Sequence, residues 1–439
     1  MSTVFNDLVA WLSDAVQTSE HFTFAYNAET SDFIRFNHAK VRQAGQVEQA
    51  TGYLKLIHAG RQADLRLALS GDVVLDCQRL ADGLRALRET LPLLPADPYL
   101  QVNTSAWRSH SVSAPLLPDA AEVVEHVGLA GTGLDLVGIY AAGSISRGFA
   151  SSHGALGWHQ ATSFNLDWSL FHANGQAVKC NYAGQHWQTE QFEHRLHRAR
   201  EQLGFQQRPP KLLAPGQYRA YLAPAALDEI IGMLGWGGFS AQSIASKSSP
   251  LQRLYGGEAH LSPQVSFTEQ VSGSLSPAFS AEGYPRSDLN LVTAGRAGER
   301  LVDSRSAAEY SLVNNGAGWG ESPSALAMAA GSLAEADILR QLDTGLYISN
   351  LWYLNYSDRS AARLTGLTRF ATFWVEDGQI VAPVDTMRFD DSVYSLLGSE
   401  LEALTTQREM ILSTGTYDER QTSSTHLPGA LVRKLTLTL

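Results

Sequence analysis

The most compact pair of potential metal ligands in the sequence is His194 and His197, three residues apart. On a helix this spacing places both imidazoles on one face, where their ring nitrogens could bind one zinc ion. The pair is flanked by one glutamate and three arginines: Glu193, Arg195, Arg198 and Arg200. Because guanidinium groups repel a cation, we predict a solvent-exposed helix face here, with a metal site as the alternative.

A second group of reactive side chains lies in residues 144–159, SISRGFASSHGALGWH. A nucleophilic site needs a base held beside the nucleophile, and the spacing in this segment fixes no such base. Serine and glycine are typical of turns, so turns that join strands are the prediction. The sequence also contains no GK[ST] phosphate loop, GxGxxG, GxSxG elbow, HExxH or EF-hand loop.

The segment with the most unusual composition follows a predicted helix that begins at Pro224, where the missing N–H of proline costs nothing. Over residues 231–285 only five side chains are charged, whereas eleven residues are serine and eight are glycine. Loops of this length in compact domains are usually functional or disordered. Small residues and free backbone groups suit contact with a peptide backbone. The alternative is that this segment only covers one end of the fold.

The hydrophobic pattern predicts the elements that hold these residues. Helices are expected at 4–16, 77–91, 189–203, from 224 and at 396–411. Strands are expected as a meander over 22–70 with turns at AETSD, QAGQ and HAGR, as a hairpin turning at Asn174-Gly175, and at 218–222, 347–356, 370–375 and 380–384. The sequence alone therefore predicts an α+β protein. We divide it into an N-terminal α/β module (1–100), a second module of β hairpins and a helix (101–210), and a C-terminal β-rich domain (211–439).

The charge balance excludes some classes of partner. The chain has 33 Lys and Arg against 44 Asp and Glu, a net charge of −11, which opposes binding to nucleic acids and anionic membranes. Cys77 and Cys180 have no metal-ligand spacing, which favours a reducing compartment. No apolar run is long enough to cross a membrane, and no basic residue precedes Arg35. We expect a cytoplasmic protein that binds neither nucleic acid nor membrane.

Three segments together resemble the TldD/TldE (PmbA) family. They are GQYRAYLAPAALDEIIGML before the serine-rich segment, AEGYPRSDLNLVTAGRAGERLVDSRSA at 281–307, and TGLTRFATFWVEDGQIVAPVDTMRF at 365–389. The TldD-like subunits of that family are zinc metallopeptidases with an H-E-x-x-x-H motif. The resemblance implies a PmbA/TldD-like fold, in which an N-terminal α/β portion precedes a mostly antiparallel, barrel-like C-terminal portion. It also implies a dimer around an enclosed chamber.

The same resemblance shows where this sequence departs from the peptidase subunits. Asp228 and Glu229 stand at the His-Glu positions, Gly232 keeps the family glycine, and Met233 replaces the second His. The peptidases carry a cysteine ligand in a later segment, which is 346–356 here and contains no Cys. A catalytic zinc needs about three protein donors and a water, and thioether sulfur is a poor ligand for it. We therefore expect no metal and no cofactor in this chain.

The departure matches the TldE/PmbA side of the family, whose members pair with a TldD-like subunit that holds the zinc. The resemblance implies a non-catalytic subunit of a heteromeric TldD-TldE zinc metallopeptidase that acts on small or unfolded peptides. Candidate peptide contacts are Ser240, Ser243, Ser246, Asn350, Thr365 and Arg369. One alternative is a homodimeric peptide-binding or scaffold protein without a protease partner. Another is an independent hydrolase with an unrecognised site, although the missing ligands predict that the isolated chain is inactive.

Overall fold

The computed structural model describes residues 2–113 and 116–438. The first residue of the predicted 1–100 range and the last residue of the predicted 211–439 range lie outside the described residues. The helices are α1 (Ser2–Ala15), α2 (Val73–Thr90), α3 (Ala120–Ala130), α4 (Thr189–Phe205), α5 (Pro224–Gly235), α6 (Ala241–Ala245), α7 (Gln252–Tyr255), α8 (Ser304–Tyr310) and α9 (Ile338–Leu342). The strands are β1 (His21–Asn37), β2 (Lys40–His58), β3 (Arg61–Leu69), β4 (Arg108–Val112), β5 (Asp135–Ser151), β6 (Leu156–Phe171), β7 (Ala177–Gly184), β8 (Gly216–Leu222), β9 (Phe267–Glu269), β10 (Leu289–Thr293), β11 (Arg296–Ala297), β12 (Ala325–Met328), β13 (Gly345–Asp358), β14 (Arg363–Glu376), β15 (Gln379–Pro383), β16 (Arg388–Ser392), β17 (Leu401–Leu412) and β18 (Ser424–Leu437).

The first half of the described chain forms a seven-stranded sheet, with the order β3-β2-β1-β5-β6-β4 and with β7 paired to β6. Side chains alternate between the two faces of each strand. One face carries buried aromatic residues such as Phe24 and Trp168, which belong to clusters with apolar residues of α1 to α4. The other face carries polar residues such as Asn165 and Asp167. Asn165 donates a hydrogen bond to the Leu412 carbonyl, so this polar face lies against the second half of the chain.

The turn between β1 and β2 lies at His38 and Ala39, which both have positive φ values of 50° and 56°. Two successive residues with positive φ form the tight turn that suits the twist of a hairpin. The predicted turns at AETSD and QAGQ are therefore wrong, because β1 and β2 continue through those residues. The predicted turn at HAGR is confirmed between β2 and β3.

The first sheet contains strands from both predicted N-terminal modules. β1, from the 1–100 range, pairs with β5, from the 101–210 range, over residues 23–36. The same sheet therefore runs across the predicted module boundary near residue 100. In the second range, the predicted hairpin that turns at Asn174-Gly175 is confirmed between β6 and β7.

The second half forms an eleven-stranded, mostly antiparallel sheet whose order is β11-β10-β9-β12-β18-β16-β14-β13-β8, with β15 paired to β14 and β17 to β18. β18 also pairs with β8, so β18, β16, β14, β13 and β8 close into a ring of strands. A ring leaves these strands without open edges. The predicted α+β class and the barrel-like C-terminal portion are confirmed.

The helix predicted at 396–411 is wrong. Only a single turn forms, at Ser395–Ser399, and β17 follows as an antiparallel partner of β18. Register shifts interrupt β17 after Leu401 and after Leu404. A bulge breaks the alternation of a strand, so Leu401, Leu404 and Leu412 are all buried at a spacing that resembles a helix.

The serine-rich segment 231–285 is largely ordered into short elements. It holds the end of α5, then α6, α7 and β9, and its apolar residues Phe239, Leu254 and Phe267 are buried. One of its few charged residues, Glu269, is only 1% exposed. Much of this segment therefore packs as core. Among the described residues, no helix combines the length and the apolar character needed to cross a membrane.

Candidate functional site

Helix α5 places one polar stripe beside an internal cavity. Strand β8 ends at Leu222 and the helix begins with Pro224 at its first turn, where its fixed φ suits the start of a helix. The other sides of α5 bury apolar residues, among them Leu227, Ile230 and Leu234. Asp228 and Glu229 are adjacent, Gly232 follows them by four and three residues on the same side of the helix, and all three line the cavity.

The central cavity has a volume of about 590 Å³ and lies between the two halves of the described chain. The polar residues that define it come from β6, β7, α4, α5, β13, β17 and β18: Asp167, Lys179, Asn181, Arg195, Arg198, Asp228, Glu229, Ser349, Asn350, Glu409 and Thr425. This volume suits a small ligand or a short stretch of peptide. Both acidic and basic side chains line it, so it presents charges of both signs.

Two of the acidic residues that line the central cavity, Asp228 and Glu229, stand side by side on α5. The Thr425 hydroxyl donates a 2.6 Å hydrogen bond to Oδ1 of Asp228. Burial raises the pKa of Asp228, and the bond from Thr425 opposes that change. Burial also raises the pKa of Glu229; the Asp228 carboxylate adds to this effect, whereas Lys179 opposes it. The site therefore holds two carboxylates whose charges are incompletely neutralised.

Two of the three basic side chains around the central cavity are paired with carboxylates, and the third, Arg195, donates a hydrogen bond to Gln191 on its own helix. Lys179 lies 3.3 Å from Asp167 across the β6–β7 hairpin, and Arg198 forms an ion pair with Glu335. Burial raises the pKa of Asp167, and Lys179 opposes this change. Because these partners satisfy Lys179 and Arg198, Asp228 and Glu229 are the groups best placed to meet a cationic or hydrogen-bond-donating ligand.

Met233 points away from the central cavity. It is 4% exposed and belongs to the apolar cluster of the C-terminal half. On a regular helix, position 232 shares the face of 228, whereas position 233 lies roughly 100° further around. The four positions of the altered zinc motif are therefore split: Asp228, Glu229 and Gly232 at the cavity, and Met233 in the core.

This donor set does not fit a catalytic zinc site. The two adjacent carboxylates are the only good donors that α5 presents to the central cavity, and the Met233 thioether is packed in the core. Within residues 2–113 and 116–438, no three His, Cys, Asp or Glu side chains cluster as metal ligands. His194 and His197 are exposed on α4, and His197 lies 3.3 Å from Glu201.

The three predicted serines lie away from the central cavity. Ser240 is buried at the start of α6, where its hydroxyl donates a 2.5 Å hydrogen bond to Glu321 and accepts one from the Ser243 backbone. Ser246 is exposed just after the helix. Ser240 therefore caps a short helix, and the other two stand beside it.

The remaining three candidates are divided between two places. Asn350 lines the central cavity next to Ser349 on β13. Thr365 donates a hydrogen bond to the Phe389 carbonyl of β16, and the Arg369 guanidinium is exposed and lies over the Trp352 ring. Of the six predicted peptide contacts, Asn350 is the one that the structure brings to Asp228 and Glu229.

Several cavity residues were missed in the sequence. Asp167 and Lys179 face the cavity because polar residues alternate with apolar ones along the β6–β7 hairpin, a signal that the sequence contains. Thr425 carries no such signal. It meets Asp228 only because β18, far along the chain, crosses beside α5.

Replacing Asp228 by asparagine is expected to raise the thermal stability of the isolated chain at neutral pH. The asparagine oxygen can still accept the bond from Thr425, but no charge is buried. Burial raises the pKa of the folded-state Asp228 above its unfolded value near 3.9. Stability is therefore lost as pH rises from about 4 through the raised pKa. The melting temperatures of D228N and the wild type should separate above that range and converge below pH 3.5.

Asp358 provides the control with the opposite sign. Hydrogen bonds from Ser360 and Ala361 lower the pKa of this exposed carboxylate. D358N should therefore lower the melting temperature at neutral pH and lose its effect in acid. If D228N instead lowers the melting temperature at pH 7, as D358N should, the raised pKa of Asp228 is wrong.

Solved structures share this fold over essentially the entire chain. A TldE from Thermococcus kodakarensis has a TM-score of 0.79 at 14% identity and covers 99% of this chain and 100% of its own. A protein described as a modulator of a DNA gyrase, from Thermotoga maritima, has a TM-score of 0.76 at 14% identity and covers both chains completely. A modulator of DNA gyrase from Bacteroides thetaiotaomicron has a TM-score of 0.74 at 14% identity and covers 100% and 98%. At this identity the likeness concerns the fold.

Sequence comparison identifies the C-terminal half. No curated protein gives a significant match to the chain. The family profile described as PmbA/TldA metallopeptidase C-terminal domain matches residues 215–439, which include α5, the ring of strands and most walls of the central cavity. Because this match spans slightly more than half of the chain, the protein belongs to the TldD/TldE/PmbA family of metallopeptidase-like proteins.

Proposed function

We propose that this protein is the non-catalytic, TldE-like subunit of a two-chain zinc metallopeptidase that acts on small or unfolded peptides. The observation that carries the proposal is the altered motif on α5. Asp228 and Met233 stand where the peptidase subunits have histidines, and Met233 is packed into the core. A TldD-like partner with an H-E-x-x-x-H motif would supply the zinc and the water-activating glutamate.

The central cavity supports a role in holding the peptide. It retains hydrogen-bonding groups at its surface, including Asp228, Glu229 and Asn350, although the metal donors are missing. Carboxylates accept hydrogen bonds from peptide N–H groups and pair with ammonium groups. This chain would therefore orient a substrate beside the partner's zinc, without taking part in bond cleavage.

Reconstitution with the partner tests the proposal. The tagged chain, expressed in its native host, should co-purify with a protein that carries H-E-x-x-x-H. That complex should digest an unfolded peptide and lose the activity when a chelator is added, because the zinc supplies the nucleophilic water. The isolated chain should be inert, and its H194A/H197A variant should support the same activity in the complex as the wild type.

Two outcomes would contradict the proposal. Recovery of a homodimer without any H-E-x-x-x-H protein would favour the alternative of a peptide-binding or scaffold protein. Peptidase activity of the isolated chain that survives the chelator would instead show that this chain is a hydrolase by itself.

A further inference from the structure

A second cavity lies on the same face of the first sheet as the central cavity. It has a volume of about 460 Å³, and we call it the sheet groove. It is defined by Phe33, Val47, Ile139, Ala141, Asp167 and Thr414. These residues belong to β1, β2, β5, β6 and the loop that joins β17 to β18. The sheet groove is thus built mainly on four neighbouring strands.

The sheet groove adjoins the central cavity. Asp167, Ser413 and Thr414 line both cavities, so these residues form the boundary that the two cavities share. From Asp167 on β6, the groove crosses β5 and β1 to reach β2. Three inter-strand gaps of about 4.8 Å make roughly 14 Å, the length of about four residues of extended peptide.

The far end of the sheet groove is open. β3 pairs with β2 only from Ala50 onward, so within the described chain residues 40–49 of β2 have no strand on their outer edge. No atom outside its immediate neighbours lies within 4 Å of the position that a Cβ on Gly45 would take. A chain that occupied the groove could therefore leave over the β2 edge without a clash.

The floor of the sheet groove is apolar at its centre. Ile139 is 49% exposed and Ala141 lies two residues away on the same face of β5. Phe33 and Val47 stand beside them on β1 and β2. An exposed apolar surface that adjoins a polar site is typical of a binding groove. Ile139 pairs with Asp167 across one inter-strand gap, so this apolar floor begins beside a residue that also lines the central cavity.

We propose that the sheet groove binds an apolar side chain of the same extended peptide whose neighbouring segment occupies the central cavity. This inference rests on the proposed function, because it assumes a peptide in the central cavity. Asp228 and Glu229 meet the polar or cationic part of the peptide, and Ile139 and Ala141 meet a leucine-like side chain of the neighbouring segment. The chain thereby selects peptides by the position of an apolar side chain relative to a cationic one.

Peptide binding to the isolated chain, measured by fluorescence anisotropy, tests the spacing. The probes are polar peptides of eight residues with one lysine near the N-terminus and a single leucine moved along the chain. Binding should be about 10- to 100-fold tighter at one spacing of the leucine from the lysine than at the other spacings, since burial of one leucine has about this effect. Equal affinity at all positions, or no binding at all, would overturn the inference.

Introducing a charge at Ile139 distinguishes a role in peptide binding from a structural role. Ile139→Glu should remove the leucine preference and favour peptides with lysine at the same position, because the new carboxylate faces the groove. Leu129→Glu, which changes an exposed leucine on α3, should leave the preference intact. Both variants should keep the wild-type melting temperature.

Two further results are informative. If the wild type is a dimer, I139E is a monomer and no leucine preference exists, the groove is a contact between two copies and the inference is wrong. Failure of this inference can be distinguished from failure of the proposed function. A complex with partner-dependent, chelator-sensitive peptidase activity but no leucine preference would contradict only the inference about the sheet groove.

Discussion

Replacing Arg420 by methionine is expected to lower the free energy of unfolding by about 3 kcal/mol and to release the loop between β17 and β18 from the first sheet. Arg420 is only 2% exposed. Its guanidinium donates hydrogen bonds to the hydroxyls of Ser31 and Ser163 and a 2.7 Å bond to the Gly143 carbonyl. Methionine fills a similar volume but leaves these acceptors without their donor and removes one of the two guanidinium groups that interact with the Glu29 carboxylate.

The backbone conformation of Gly143 explains why its carbonyl accepts a hydrogen bond from Arg420. Gly143 has a φ of 142°, and a Cβ at this position would lie 2.1 Å from the Thr30 carbonyl oxygen. β1 and β5 therefore approach each other closely, and the Gly143 carbonyl turns toward Arg420. Burial lowers the pKa of Arg420 to about 10, while Glu29 opposes this change. The guanidinium stays protonated at neutral pH, so the variant removes a buried positive charge.

Urea unfolding and hydrogen exchange would measure both parts of this prediction. The amides of residues 413–423 should exchange faster in R420M, and both cavities should lose their shared wall at Ser413 and Thr414. Arg433→Met is the matched control: Arg433 is exposed on β18 and pairs loosely with Glu400, so its loss should cost less than 1 kcal/mol. Equal costs for the two variants would show that the buried contact contributes little.

Local patterns in the sequence were enough to predict the elements whose ends are marked by a turn-forming pair or by a proline. The Asn174-Gly175 pair predicted its hairpin because Gly175 must take a positive φ, observed at 86°. Pro224 predicted the start of α5. The altered motif could therefore be placed on a helix from sequence alone.

The elements and cavity walls that depend on contacts between distant parts of the chain could not be predicted from the sequence. β17 was mistaken for a helix because its register shifts bring Leu401 and Leu404 to one side, and such shifts depend on the partner strand β18. The walls of the central cavity come from separate segments, so the approach of Thr425 to Asp228 follows from the closed ring of strands. The serines predicted as peptide contacts lie away from Asp228, and Ser240 is used as a helix cap, a role that depends on where α6 begins.

The buried pair of Glu269 and Arg286 shows that part of the serine-rich segment is structural. Glu269 accepts a 2.7 Å bond from the Arg286 guanidinium, a 2.7 Å bond from the Ser324 hydroxyl and bonds from the backbone N–H groups of Ser324 and Ala325. Through these bonds it fixes the chain at the start of β12, where Pro323 and Leu326 line the central cavity. Glu269 is thus a positioning residue for one cavity wall.

Glu269→Gln is expected to cost about 3–5 kcal/mol of unfolding free energy in urea, because the amide cannot neutralise Arg286 and its NH₂ opposes backbone donors. Glu299→Gln, at an exposed carboxylate that accepts one bond from the Asn290 backbone, is the control and should cost less than 1 kcal/mol. The double variant Glu269→Gln/Arg286→Met should be more stable than Glu269→Gln alone, since it removes the unpaired buried charge. If adding Arg286→Met instead destabilises the protein further, the cost comes from lost packing, and the pair does not act through its charges.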